Sequence, residues 1–333
     1  MAAQQKPTRA VIAGVGGYAP RRVMHNRELE ALVDTSDEWI SERTGIRQRR
    51  IAAEDEAASD LALAAARRAL EMANIPASAL DMIIVGTVTP DRPLPSCAAI
   101  LQHKLGIGEI PAFDISAACA GFLYALSIGD QFIRTGTHRN ILVVGVELLS
   151  RIVDWQDRAT CVLFGDGAGA VVLQAGDDDK RGVLSACLYT DSTLADSLCI
   201  PAGGSALPLT GDLIASKQDK VKMIGQDIFK AAVRNLTAAS RTALERANLT
   251  ADSVTWVVPH QANTRIIAQV AQRLDVPLDR FILNIDRYGN TSSASIPLAL
   301  DEGVRDGRVK KGDTVLMCAL GAGVSWASSV VVM

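Results

Sequence analysis

The sequence predicts an α/β protein built from a duplicated unit, and three observations carry that prediction. Hydrophobic residues make up 48% of the 333 and aromatics only 4%. The apolar mass is therefore Ala, Val, Leu and Ile, as in parallel or mixed sheets covered by Ala-rich helices. Secondly, Ala69-Leu70-Glu71-Met72-Ala73-Asn74-Ile75 is echoed by Ala243-Leu244-Glu245-Arg246-Ala247-Asn248-Leu249. The register then runs without a gap through Leu80 to Ile84 and Val254 to Val258, each copy reading as amphipathic helix, polar turn and strand. Thirdly, Leu163-Phe164-Gly165-Asp166-Gly167-Ala168-Gly169 leads into an apolar run, as Leu320-Gly321-Ala322-Gly323-Val324 does near the end. Two echoes in the same order suggest a repeated unit.

Apolar runs and punctuation set the elements. The first half reads as strand 9–14, helix 26–32, helix 36–43, helix 57–73 and strand 82–86. Helix 96–105, strand 111–115, helix 121–134, strand 140–146 and strand 167–173 follow. Thr35-Ser36-Asp37-Glu38 has capping-box spacing and Gly45 is a helix stop. The charged stretch Ala175 to Gly182 marks a surface connection, dividing residues 1–176 from 177–333. The second half begins with strand 183–189, and Gly203 to Asp219 is an irregular excursion. Helices 224–247 and 261–274 flank strand 256–258. Asn290 opens helix 292–305, and strand 314–318 and the C-terminal strand finish the sheet.

A net charge of −3 argues against a general nucleic-acid binder. The six cysteines show no C-x-x-C spacing and no histidines at metal-ligand spacing, so reduced thiols are expected, with no metal and no disulfide framework. Met1 to Arg9 is polar, and no apolar segment reaches the roughly 20 residues that span a bilayer. A soluble cytoplasmic protein with no membrane contact is the expectation.

Cys119 carries the strongest chemical signal. It follows the strand-like Ala112-Phe113-Asp114-Ile115 and opens a helix among very small neighbours. A helix N-terminus at its sulfur favours thiolate, and small flanks admit a substrate. Three of the four histidines read as solvated surface residues. His260 differs, because it ends the apolar strand 254–259 and precedes a helix, the usual place for an α/β active site. Asn290, in Tyr288-Gly289-Asn290-Thr291-Ser292, reads alone as a helix cap. A nucleophile and two neutral donors at similar junctions converge on one cleft. No Asp or Glu joins them; a His/Asn pair suits a thioester oxygen gaining negative charge better than it suits hydrolysis.

Long strings then match a family. Asp34-Thr35-Ser36-Asp37-Glu38-Trp39-Ile40, Arg43-Thr44-Gly45-Ile46-Arg47, Ala117-Ala118-Cys119-Ala120-Gly121-Phe122, Phe164 to Ala170, Pro259-His260-Gln261-Ala262-Asn263 and Gly289-Asn290-Thr291-Ser292 make the chain resemble β-ketoacyl-acyl-carrier-protein synthase III, of the thiolase superfamily. The resemblance runs from about Val11 to Val332. It implies a thiolase-like fold with α-β-α-β-α layers and a homodimer. It also implies a Cys119–His260–Asn290 triad that takes an acyl group from acyl-CoA and joins it to malonyl-acyl carrier protein, initiating fatty-acid synthesis without a cofactor. By the same resemblance the backbone N–H groups of Cys119 and Ala322 form the oxyanion hole. Trp39 and Arg158 sandwich the CoA adenine, Arg43 meets its phosphates, and Phe229 and Asn263 match pantetheine-tunnel and active-site positions. Lys230, Arg265 and Arg273 form a basic rim for the acidic carrier protein.

Three positions depart from the family's usual residues. Ala322 replaces a glycine, which is harmless only if φ there stays negative. Leu94 stands where a phenylalanine closes the acyl pocket from the neighbouring subunit. Leu320 stands where a phenylalanine lies near the decarboxylation site. The alternative reading is a starter-unit synthase or acyltransferase of a secondary-metabolite pathway. A thiolase would need a second catalytic cysteine, for which Cys318 is offset. A catalytically dead subunit would have lost a triad residue.

Overall fold

The computed structural model describes residues 8–176, 178 and 180–333. Two sheets repeat one plan. In the first, β1 (Arg9–Tyr18), β2 (Met82–Gly86), β3 (Ala112–Ile115), β4 (Asn140–Leu148) and β5 (Asp166–Gly176) lie in the order β1-β5-β4-β2-β3. β2 runs parallel to β3 and β4, and β5 antiparallel to β1 and β4. In the second, β6 (Gly182–Thr190), β7 (Trp256–Pro259), β8 (Thr314–Gly321) and β9 (Ser325–Val332) lie in the order β6-β9-β8-β7, with only β7 and β8 parallel. A single parallel bridge from Val257 to Phe281 stands where β3 pairs with β2.

The helices complete the layers. α1 (Asp37–Thr44) belongs to a cap beside the first half. α2 (Ala58–Ala73) and α3 (Cys97–Leu105) cover the outer face of the first sheet. α4 (Gly121–Arg134) lies between the two sheets. α5 (Gly225–Arg246) and α6 (Thr264–Leu274) cover the outer face of the second, and α7 (Ser295–Arg305) lies beside α4 in the centre. The order is α-β-α-β-α, as the resemblance implied. The Ala-rich face of α2 has a partner made for it: a Cβ on Gly14 or Gly16 of β1 would fall 2.2 Å from a carbonyl oxygen of α2. Between the sheets, Phe122, Leu126, Ile84, Ile296, Leu300 and Met317 form a fully buried core. Each such side chain contributes roughly 1.5–3 kcal/mol by leaving water.

The duplication extends beyond the stretches legible in sequence. The 3-10 turn Ala118–Ala120 before α4 and the turn Ser292–Ala294 before α7 stand 174 residues apart. Their first residues share a left-handed backbone, Ala118 at φ 45° and Ser292 at φ 49°. At the same offset, Asp81 N–H bonds the Asn140 carbonyl and Thr255 N–H bonds the Thr314 carbonyl.

Some expected boundaries shift. The expected helix 26–32 is one turn, Asn26–Leu29. The cap of α1 is Ser36, whose Oγ accepts from Trp39 N–H, one residue later than the capping-box reading. Gly45 ends α1 at φ 82° as expected. β1 continues to Tyr18 because β5 pairs with its whole length. The excursion before α5 holds a short helix, Gly211–Ala215, and a ribbon of Leu198–Cys199 with Lys222–Met223. Among the described residues no helix is long and apolar enough to cross a membrane.

Candidate active site

Cys119 sits in the turn that starts α4, nearly buried at 8% exposure. Asn290 stands just before the matching turn of α7. Its Oδ1 accepts the Ser292 N–H at 2.8 Å, which leaves Nδ2 as the donor end. His260 follows the end of β7, where its N–H donates to the Cys318 carbonyl at 2.8 Å. Its Nδ1 lies 2.7 Å from Oγ of Ser295, the first residue of α7. Asn290 and His260 are thus both held at the start of α7. The link to Cys119 comes from two sides. Ser292 lines the same cavity as Cys119, and β8 approaches so closely that a Cβ on Gly321 would fall 2.4 Å from the Cys119 nitrogen.

The charge states follow from burial. Burial pushes the Cys119 thiol up to about 12; a hydrogen bond with Ser292 pulls it down, and the Glu147 carboxylate pushes it up. Burial of the sulfur thus opposes the thiolate that the helix N-terminus favours. Burial also holds His260 down at about 4, so its imidazole is neutral. Ser295 Oγ lies within reach of both the Gln261 N–H, at 3.4 Å, and His260 Nδ1, and can donate its hydroxyl hydrogen to the latter. In the tautomer that accepts at Nδ1, the ring proton lies on Nε2, a second neutral donor beside Asn290.

The turn Gly321-Ala322-Gly323 packs against the backbone of Cys119 and shares its cavity through Ala322. Its left-handed residue is Gly323 at φ 126°, not Ala322. Alanine at 322 therefore costs the turn no backbone strain. Leu320 is buried and lines a small cavity behind His260 together with Cys318. Cys318 is fully buried in β8, and burial holds its thiol at about 12.

The residues tied to CoA by resemblance cluster on one side. Trp39 is flanked by Arg158, 4.9 Å from the ring centroid, and by Arg43 at 5.6 Å. The Arg158 guanidinium is held by the Asp34 carbonyl at 2.9 Å, so a base entering between it and the indole must displace it. Asn263 is occupied at both ends. Its Oδ1 caps α6 through Arg265 N–H, and its Nδ2 donates to the Arg43 carbonyl at 3.0 Å. Phe229 lies near the start of α5 under the Arg265 guanidinium, 5.8 Å away. Lys230, Arg265 and Arg273 are all exposed, but Arg273 stands eight residues beyond Arg265, about 12 Å farther along α6. Leu94 is 84% exposed and does not line this chain's own cavity at Cys119.

Glu147 is the functional-site neighbour that sequence reasoning missed. It is fully buried near the end of β4. Its carboxylate accepts from Val88 N–H, from Thr89 Oγ at 2.6 Å, and from Ser292 and Ser293 Oγ at 3.2 Å each. Burial holds it up at about 7 against these bonds. The signal was one acid inside the apolar run Ile141 to Leu149. Ser292, Ser295 and Gly321 carry no local signal of a role, because the groups that they meet come from distant elements.

Two stacked sheets around a central helix pair, with a cysteine at one helix start and neutral donors at the other, define a thiolase-fold acyl-transferring enzyme. Family models described as 3-oxoacyl-[acyl-carrier-protein] synthase III and its C-terminal region match residues 113–192 and 244–333. A β-ketoacyl-[acyl-carrier-protein] synthase III from Caldanaerobacter subterraneus is 50% identical over 97% of both chains. Its counterpart from Methylococcus capsulatus is 50% identical over 96% of this chain and 97% of that one. The crystal structure of 3-oxoacyl-[acyl-carrier-protein] synthase III from Aquifex aeolicus superposes with a TM-score of 0.90 at 44% identity, covering 97% of this chain and all of that one. The priming β-ketosynthase of the R1128 polyketide pathway also superposes at 0.90, with 38% identity over 99% and 98% of the two chains. The chain belongs to the β-ketoacyl-acyl-carrier-protein synthase III family of condensing enzymes.

Proposed function

We propose that Cys119 accepts an acyl group from an acyl-CoA and that the same site condenses it with malonyl-acyl carrier protein, the first condensation of fatty-acid synthesis. The observation that carries this is Cys119 at an apolar cavity, with the backbone of Gly321–Ala322 on one side and the Asn290–Ser292 turn on the other. In the first half-reaction the Cys119 sulfur bonds to the acyl carbon, and CoA leaves with the thiol proton. Backbone N–H groups of Cys119 and Ala322 meet the oxyanion; one such donor is typically worth about 3 kcal/mol of barrier. In the second, the C–C bond to the malonyl carboxylate breaks and carbon dioxide leaves. The electron pair remains as an enolate, whose oxygen is held by His260 Nε2–H and Asn290 Nδ2–H. Its carbon attacks the acyl-Cys119 carbonyl, and the sulfur departs and regains a proton.

Within this reading Trp39, Arg43, Arg158, Phe229 and Asn263 bind CoA. Lys230, Arg265 and Arg273 receive the carrier protein, and the enzyme works in the cytoplasm without a cofactor. Its units are residues 1–176, which bear the nucleophile, and 177–333, which bear His260 and Asn290. A homodimer brings Leu94 of one copy to the acyl pocket of the other. Likeness to a polyketide priming enzyme favours one second reading, a starter-unit synthase, which differs in the carrier protein it accepts.

The test is intact-mass analysis of the purified chain after incubation with acyl-CoA, followed by addition of malonyl-acyl carrier protein. We expect one acyl mass on the protein, none on Cys119→Ala, and a β-ketoacyl carrier protein as product. Acyl mass retained on Cys119→Ala would overturn the nucleophile. Condensation only with a polyketide carrier protein would favour the second reading.

A further inference from the structure

We propose that Glu147 takes the thiol proton of Cys119 through the Ser292 hydroxyl when the acyl group arrives, and returns it by the same path to the departing CoA sulfur. This rests on the acyl-Cys119 reading above and supplies the proton route that reading needs. A buried thiol must lose its proton as the sulfur attacks. Among the described residues lining the cavity at Cys119 there is no carboxylate and no histidine, and Ser292 brings the one hydroxyl. His260 presents a proton rather than a lone pair in the tautomer that accepts at Nδ1, and Asn290 is not a base. Glu147, held up at about 7, is also a stronger base than His260, held down at about 4.

Hydrogen bonds join the three residues. The turn that carries Cys119 packs on the turn that carries Ser292. Ser292 is hydrogen-bonded with the Cys119 thiol, and its Oγ donates to Glu147 Oε1 at 3.2 Å. As the sulfur–carbon bond forms, the Ser292 hydrogen moves to Oε1 and the thiol hydrogen replaces it on Oγ. When the carbon–sulfur bond to CoA breaks, both hydrogens run back and the proton leaves on the CoA sulfur. The carboxyl is held firmly for this exchange. Val88 N–H bonds both of its oxygens, Thr87 and Thr89 donate to Oε2, and Ser293 joins Ser292 at Oε1. The titratable groups that face it are two thiols, Cys119 before α4 and Cys97 at the start of α3, both held up by burial. Asp166, at the start of β5, spends its carboxylate on Ala52 and Ser150 instead. No bonded neighbour carries a charge, so burial and these hydrogen bonds set where Glu147 titrates. Glu147 and Ser292 are buried within one chain, at 0% and 2% exposure, so no partner residue comes between them.

The experiment follows single-turnover acylation by acyl-CoA, read as intact mass, from about pH 5.5 to about pH 9.5. The full-length chain, Ser292→Ala and Glu147→Gln are compared. Alanine suits position 292, because Ala118 holds the same left-handed backbone in the matching turn. The Ser292 N–H that holds Asn290 survives the exchange. The thermal midpoint of each variant shows that it is folded, and two independent positions guard against the loss of either. We expect the parent rate to rise with a midpoint near 7 as Glu147 ionises, and then to level off. Both variants should be about 10²-fold slower near pH 8. Their rates should climb about tenfold per pH unit without levelling, because a thiol held at about 12 then loses its proton to solvent. Carbon dioxide release from malonyl-acyl carrier protein asks no proton of Cys119 and is measured alongside. An equal loss in both half-reactions, with the parent's pH profile retained, would show a merely structural role and overturn the relay. A midpoint near 7 that persists in Glu147→Gln, or Ser292→Ala acylating within about twofold of the parent, overturns it too. No acyl mass on the parent at any pH overturns the acyl-enzyme reading itself.

Discussion

Cys119 and Ser293 occupy equivalent points of the two halves, each second in a 3-10 turn that begins with a left-handed residue and runs into a central helix. What faces them differs. Against Cys119 stands Gly321, close enough that a Cβ would reach the Cys119 nitrogen at 2.4 Å. Against Ser293 stands Glu147, which fills the matching strand end and bonds Ser292 and Ser293. Glu147 and Gly321 are themselves 174 residues apart. The duplicated architecture thus made two helix starts, opened one by removing a side chain, and closed the other with a buried carboxyl. The closed junction holds its turn rigid, so that Asn290 and His260 can serve the open one.

The largest effect should come from removing what the closed half lends. We expect His260→Ala and Asn290→Ala each to lose about 10²–10³ in the decarboxylation of malonyl-acyl carrier protein, while acylation by acyl-CoA persists. Separate assays of carbon dioxide release and acyl-enzyme mass check this. A variant that decarboxylates normally and fails to acylate would reverse the roles assigned to the two junctions.

Gly321→Ala tests the open junction. Its backbone, at φ −135°, suits any residue, so the only cost is the collision with Cys119. The turn must retreat and carry the Ala322 donor with it. About a 10²-fold loss in both half-reactions is expected, measured by single-turnover acylation and by condensation. Loss confined to condensation would mean that this turn does not serve the acylation step.

Much of this was legible in the sequence, and the limits have physical causes. Cys119, His260 and Asn290 stood out because each is a reactive side chain at a break between an apolar run and a helix. The repeat was legible in residues 69–84 and 243–258, where helix and strand preserve side-chain patterns. Beyond that, Ala-Cys-Ala and Ser-Ser-Ala fold into the same turn while sharing only the final alanine, so backbone alone preserves the relation. Glu147 was visible as a charge in an apolar run, yet its donors come from residues 58 to 146 positions away. The upward shift of the Cys119 thiol was hidden for a similar reason. Local sequence supplies the helix N-terminus, whereas tertiary packing supplies the desolvation.

Glu147 and His260 also set opposing pH dependences, and Glu147→Gln separates them. Glu147 has its folded pKa raised to about 7, so the native state binds its proton more tightly than the unfolded chain. Its contribution is full below the unfolded value of about 4.5 and fades as pH rises through 7. His260 is the reverse, lowered to about 4, so stability from it is lost as pH falls from 6.5 through 4. Each shift is worth about 3 kcal/mol, and in the parent protein the two slopes largely cancel between pH 4.5 and 6.5. Removing the carboxyl leaves the histidine slope alone. We expect urea unfolding of Glu147→Gln to show a fall on acidification from pH 6.5 to 4.5 that is steeper than the parent's by up to about 3 kcal/mol. Parallel curves for the two proteins would mean that Glu147 is ionised as readily in the fold as out of it.

The smallest effect belongs to Ala322→Gly, which restores the residue more usual in the family at the open junction. Because the left-handed position is Gly323, Ala322 already adopts its native backbone without strain. A glycine there gains nothing in the folded state and adds freedom to the unfolded chain, for a loss of about 0.4–1 kcal/mol in stability. The backbone N–H survives the exchange, so kcat for acylation should stay within about twofold if that N–H is all Ala322 supplies to the oxyanion. The side chain does line the cavity at Cys119, however. A several-fold rise in acylation with bulky primers, at unchanged rate with small ones, would show that the methyl narrows the mouth and that this junction is less open than Gly321 alone suggests.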